Sequence, residues 1–128
     1  MISSRYININ RILAVATFLI SFVVYFDTMA PSVSYWDCGE FIAVSYTLGV
    51  PHPPGSPLFL LLGRIASMMP ISEDIAFRVN LLSPLVSAFA VLFLYFIIVQ
   101  LVSHWRGKIN SNTDALIVFG AGIVGSLT

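Results

Sequence analysis

The sequence predicts an all-α, polytopic membrane protein, and three observations carry that expectation. Of its 128 residues 58% are hydrophobic and only 9% charged, whereas soluble domains carry about 25% charged residues. Mean hydropathy is +0.93. Apolar runs long enough for lipid recur along the chain, each bordered by polar or aromatic residues. The formal charge is zero, which offers nothing to a nucleic acid or an acidic partner. The single cysteine, Cys38, excludes an internal disulfide and a cysteine-built metal cage, and it fits a small packed residue.

The first run, residues 12–26, contains no charge, and with its flank 6–11 it reaches the length a bilayer core requires. A transmembrane helix is expected over about residues 7–27. A cleaved signal peptide is the competing reading, with Arg5 and Arg11 as the basic region and Thr28-Met29-Ala30 as a loose cleavage site. Pro31 directly after the cut and the length of the apolar run both argue against it.

After Phe26 come Asp27, Pro31, Ser32, Ser34 and the interfacial pair Tyr35-Trp36, which mark an exit into a loop spanning about residues 28–76. Residues 39–48 read as a short helix. Phe41, Val44 and Leu48 would form its apolar stripe, Glu40, Ala43 and Thr47 an adjacent face, and Gly49 its stop. The prolines at 51, 53, 54 and 57 then fix φ and remove amide donors, so this connection is a stiff turn. Residues 58–69 suggest a helix too short to span and bearing Arg64, lying at the interface or re-entrant. Pro70 ends it, and Ser72-Glu73-Asp74 starts another.

A second span is expected at about residues 79–103, with Pro84 near one end and His104, Trp105, Arg106 and Lys108 as a basic, aromatic border. Residues 110–114 read as a turn, and a third apolar run, 115–128, is incomplete as a span. The expectation is therefore an N-terminal fragment of a longer membrane domain. In its last run Gly120, Gly122 and Gly125 suit close helix packing rather than a phosphate loop. Arg5 and Arg11 before the first span, and Arg106 and Lys108 after the second, put both flanks in the cytoplasm and the loop outside. The loop holds Asp27, Asp37, Glu40, Glu73 and Asp74, five of the six acids.

The loop also holds the candidate chemistry. Asp37 and Glu40, three residues apart, fit a variant capping box, with Asp37 as N-cap and Glu40 at the third helical position. Spacing alone favours that cap; the competing reading is a carboxylate acting as general base on a hydroxyl, which a cap would fix in place. His52, held between prolines, either bonds a phosphate or packs against a nearby carbonyl. Arg64 either snorkels to headgroups or binds an anionic lipid phosphate, and Arg78 has the same options beside a simple pairing with Glu73 or Asp74. Tyr35 and Trp36 fit interface anchors, with sugar stacking as the alternative. No nucleotide loop, metal-ligand cluster or Ser-His-Asp order is apparent in the sequence.

The stretch Tyr35-Trp36-Asp37-Cys38-Gly39-Glu40-Phe41-Ile42-Ala43, followed by Leu48-Gly49-Val50-Pro51-His52-Pro53-Pro54-Gly55-Ser56-Pro57-Leu58-Phe59, resembles the protein O-mannosyltransferase-like family formerly catalogued as a domain of unknown function. The resemblance implies the GT-C class of membrane glycosyltransferases: many transmembrane helices, an essential acid and short interfacial helices in the first non-cytoplasmic loop, and a polyprenyl-phosphate-linked sugar as donor. It implies Asp37 and Glu40 as catalytic residues without deciding which is the base, and it raises the expectation that His52 and the turn after it shape the donor site, with Arg64 beside them. A protein or glycan hydroxyl would be the acceptor, no nucleotide and no nucleic acid would be involved, and a divalent metal is left open. Location would be the plasma membrane, or the inner membrane of a bacterium, as a multi-pass protein with a cytoplasmic N-terminus. The alternative is a non-enzymatic transporter or scaffold in which the loop is a capped re-entrant element.

Overall fold

The computed structural model describes residues 4–53, 55–107, 109 and 111–128. The side chain of Arg5, and Pro54, Lys108 and Asn110, on which expectations above rest, lie outside the described residues. Among the described residues six helices follow one another: α1 (Ser4–Thr28), α2 (Cys38–Thr47), α3 (Pro57–Met68), α4 (Ile75–Asn80), α5 (Leu82–Arg106) and α6 (Asn112–Leu127). The stretches Tyr6–Thr28 and Ile75–Arg106 are long and apolar enough to cross a membrane, whereas α6 is shorter. The all-helical expectation holds, and the chain is a membrane protein. It divides into two compact units, Met1–Tyr25 with Val86–Thr128, and Phe26–Leu85.

The first unit has a buried cluster of Tyr6, Tyr95, Val99, Val118 and Phe119, and beside it small residues are buried while many large aliphatic side chains face outward. Large side chains such as Ile12 (67% exposed) and Leu101 (65%) face outward, while Ala14, Thr17, Ser21 and Ala88 are buried. Lipid solvates large alkyl groups as well as a core does, so helices there gain most from close contact through small residues and from satisfying polar groups internally. Thr17 and Ser21 accordingly donate to the carbonyls of Leu13 (2.8 Å) and Thr17 (2.9 Å). Tyr95 donates to Asn10 Oδ1 at 2.9 Å and Tyr6 to Asn112 Oδ1 at 3.0 Å.

The packing glycines are Gly122, where a methyl would sit 2.6 Å from Val99 Cγ2, and Gly125, 2.9 Å from Ile98 Cδ1; Gly120 faces open space. Rather than a turn through residue 114, α6 begins at Asn112. Ser111 caps it by accepting from the Asp114 amide at 3.1 Å, and Asp114 pairs with Arg106 at 3.1 Å.

The second unit is built on three short helices packed around Ile42, Ala76 and Val79. Pro57 opens α3, as its missing amide and fixed φ allow. Asp74 caps α4, accepting from the Ala76 amide at 2.8 Å. Its carboxyl is held below its ordinary value, first by the Ser32 hydroxyl and then by that amide. Only Leu81 separates α4 from α5, because Pro84 lacks the amide that would bond the Asn80 carbonyl. Asn80 instead spends its side-chain amide on the carbonyls of Ala30 (3.0 Å) and Ser32 (2.9 Å), anchoring the start of the loop.

Three local expectations are corrected. The buried residues of α2 are Ile42 and Ser45, with Leu48 exposed, because the helix presses on α3 and α4 through the face one residue over from the stripe read in the sequence. Its left-handed terminal residue is Leu48 (φ 54°) rather than Gly49, whose amide closes the end on Val44 O at 3.0 Å. Arg78 donates to the backbone carbonyls of Ser67 (2.6 Å) and Glu73 (3.2 Å) instead of pairing with a carboxylate.

Candidate functional site

The residues that the loop offers for chemistry meet where α2 begins. Trp36, exposed and in the left-handed region (φ 66°), turns the chain into the helix, and Asp37 follows it. A capping box is not formed. Asp37 takes helical angles (φ −73°, ψ −1°) instead of the extended ones an N-cap needs, so its side chain makes no cap hydrogen bond. Glu40 does not reach back to close the box either, because its carboxylate is spent on His52.

The turn after α2 delivers that histidine. Restrained by Pro51 and Pro53, and closed by the Gly55 amide on the His52 carbonyl at 3.1 Å with Gly55 at φ 77°, it folds back toward the start of α2. Glu40 Oε1 accepts the His52 backbone amide at 2.8 Å, and Glu40 Oε2 lies 2.7 Å from His52 Nδ1. The other ring nitrogen, Nε2, lies 3.9 Å from Asp37 Oδ2. Phe41 meets the imidazole edge-on with ring centroids 6.1 Å apart.

The three side chains are about half exposed, 49% for His52, 48% for Asp37 and 38% for Glu40. Water and an incoming substrate both have access. The hydrogen bond to Glu40 is the main cause that raises the His52 pKa above its ordinary 6.5, and the same bond lowers Glu40 below 4.5.

Asp37, Glu40 and His52 each present one ligand-type atom, and these atoms lie within 4.8 Å of one another. The sequence shows no such cluster because the histidine is twelve residues from the glutamate. A divalent cation would compete there with the two Glu40–His52 bonds.

Arg64 belongs to a different group: its guanidinium donates to the Tyr46 carbonyl and lies over the Tyr46 ring, 5.6 Å from the centroid. One further feature was missed in the sequence, a mainly apolar cavity of about 350 Å³ beside the acids, lined by Cys38, Phe41, Ile42, Phe59, Val79 and Asn80. Its lining draws on α2, α3, α4 and, through Ser83, α5, so no local pattern announces it.

The profile of the protein O-mannosyl-transferase TMEM260 N-terminal domain matches residues 37–128. Protein O-mannosyl-transferase tmem260 of Dictyostelium discoideum is 36% identical over 100 residues, covering 76% of this chain and 12% of that protein. Protein O-mannosyl-transferase TMEM260 of Mus musculus is 36% identical over 96 residues, covering 75% and 14%. The chain thus spans roughly an eighth of the length of these relatives. No solved structure matches it significantly.

Proposed function

The chain belongs to the family of the protein O-mannosyl-transferase TMEM260 N-terminal domain, and on that premise we propose that it carries the acidic end of a membrane glycosyltransferase site moving mannose to a protein hydroxyl. The observation that carries the reading is the convergence of Asp37, Glu40 and His52 at one exposed edge beside an apolar cavity, inside the matched region. The donor is a polyprenyl-phosphate-linked sugar. Such a donor presents its phosphate at the bilayer surface, and the cavity lined by Phe41, Phe59 and Val79 suits the first part of its lipid tail.

The transfer inverts the sugar. An acceptor hydroxyl oxygen attacks the anomeric carbon as the bond from that carbon to the phosphate oxygen breaks; the electron pair leaves with the phosphate, and the hydroxyl proton passes to Asp37. His52, carrying a proton, stabilises the departing phosphate. The protein is multi-pass, with the loop of residues 28–76 on the non-cytoplasmic face, where acceptor proteins arrive.

Transfer of mannose from a lipid-linked donor to an acceptor protein by the full-length protein tests this directly. Asp37→Asn lowers turnover by at least about 100-fold, the scale of a lost general base. Wild-type turnover in that variant overturns the assignment.

A further inference from the structure

The two acids of the cluster are not equivalent. Glu40 is fully engaged, with one oxygen on the His52 backbone amide and the other on the ring Nδ1, at 2.8 and 2.7 Å. Asp37 makes no cap hydrogen bond and faces Nε2 across 3.9 Å, too far for a hydrogen bond. A carboxylate accepts and does not donate, so the proton between Glu40 and His52 sits on Nδ1, and the second proton of the charged ring is then carried at Nε2, where it can be donated. The edge contact with Phe41 holds the ring against rotation from a second direction.

We infer that Glu40 is a positioning residue, whose carboxylate sets the ring of His52 so that Nε2 faces Asp37 and the substrate, and that Asp37 is therefore the base of the pair. The inference rests on the glycosyl-transfer reading for its kinetic consequence, but the arrangement itself stands apart from activity. Each Glu40 oxygen already accepts a hydrogen bond from His52, which weakens that carboxylate as a base, whereas Asp37 makes no cap hydrogen bond and lies beyond hydrogen-bond distance of Nε2. The histidine, by contrast, turns one nitrogen outward in a fixed orientation, as a group must when it donates to a phosphate that appears only during the reaction.

The experiment is a double-mutant cycle in the full-length protein, with single-site kinetics of mannose transfer for Glu40→Gln, His52→Gln and the pair. If Glu40 acts through the imidazole, each single change lowers kcat by about 100-fold and the double variant loses no more than His52→Gln alone. A bond that merely staples the turn to α2 gives a different result. The backbone amide of residue 52 survives in His52→Gln, so Glu40→Gln would then keep its full cost in that background. That additive outcome overturns the inference.

A second measurement needs no turnover: nitrogen-15 spectra of histidine-labelled protein, with the His52 signals assigned by their loss in His52→Gln. Protonated Nδ1 in the wild type and its loss in Glu40→Gln support the arrangement. An Nδ1 lacking the proton in the wild type overturns it. If the wild type transfers no mannose, the glycosyl-transfer reading fails while the spectra still decide the role of Glu40.

Discussion

Both partners of the Glu40–His52 bond are strengthened by being charged, so the contact has a pH window with two edges. His52 is raised above 6.5, so its contribution is whole below that value and fades as pH climbs through the folded-state pKa. Glu40 is lowered beneath 4.5, so its contribution is whole above 4.5 and is lost as pH falls through the depressed value. The stabilising effect of the pair is therefore fullest between pH 4.5 and 6.5. Exposure to water keeps it small. Thermal midpoints of wild type and Glu40→Gln, compared across pH, should differ most in that interval and converge on either side; a gap independent of pH would show that charge plays no part. The acids and His52 were each named from the sequence, but the bond between Glu40 and that histidine was not. Spacing within a helix pairs Asp37 with Glu40, and nothing in spacing says that a proline-stiffened turn brings His52 back twelve residues later. The predicted capping box failed for the same reason, since Glu40 already had a better partner. Arg64 was read toward the donor, and its carbonyl and aromatic contacts on Tyr46 instead depend on how α2 lies on α3.

Helix ends and crossings carry the second group of consequences. Leu48 holds a left-handed conformation at the end of α2 with its side chain exposed, a position where glycine costs nothing and a branched residue is strained. Leu48→Gly should raise stability by about 1 kcal/mol in a thermal-shift assay, and leave mannose transfer unaltered. The crossing of α2 and α3 is set by Gly63, where a methyl would sit 2.4 Å from Ser45 Oγ. Ser45 Oγ is itself buried and, among the described residues, has no hydrogen-bond partner. Removing that hydroxyl relieves an unmet polar group, so Ser45→Ala should stabilise by about 1 kcal/mol, whereas Gly63→Ala should destabilise by about 1–3 kcal/mol through overpacking. A destabilised Ser45→Ala would mean that the hydroxyl has a partner in the folded protein. The existence of each short helix was readable from prolines, caps and apolar spacing. Which face it buries was not, because only a neighbour's shape decides between Phe41 and Ile42.

At the scale of the whole molecule, composition already settled the solvent: so few charges cannot clothe a globule in water. The cavity beside the acids was beyond composition, since it exists only where four helices leave a gap. The proposed sidedness predicts that a protease site inserted at Ser72 is protected in sealed vesicles whose cytoplasmic face is outward, while one at Gly107 is cut; cleavage at both positions would reject it. The outward-facing large side chains and the buried small ones in the first unit bear on which sequences can replace this one. Where Ile12 and Leu101 point away from the neighbouring helices, one large aliphatic group serves as well as another. Ala14 and Ala88 are buried, and Gly122 leaves no room for a methyl. A mutational scan of α1, α5 and α6 should therefore tolerate change at the outward-facing large aliphatics and record losses both at the buried Tyr95 and Phe119 and at small residues such as Gly122, which a reader of the sequence would pass over.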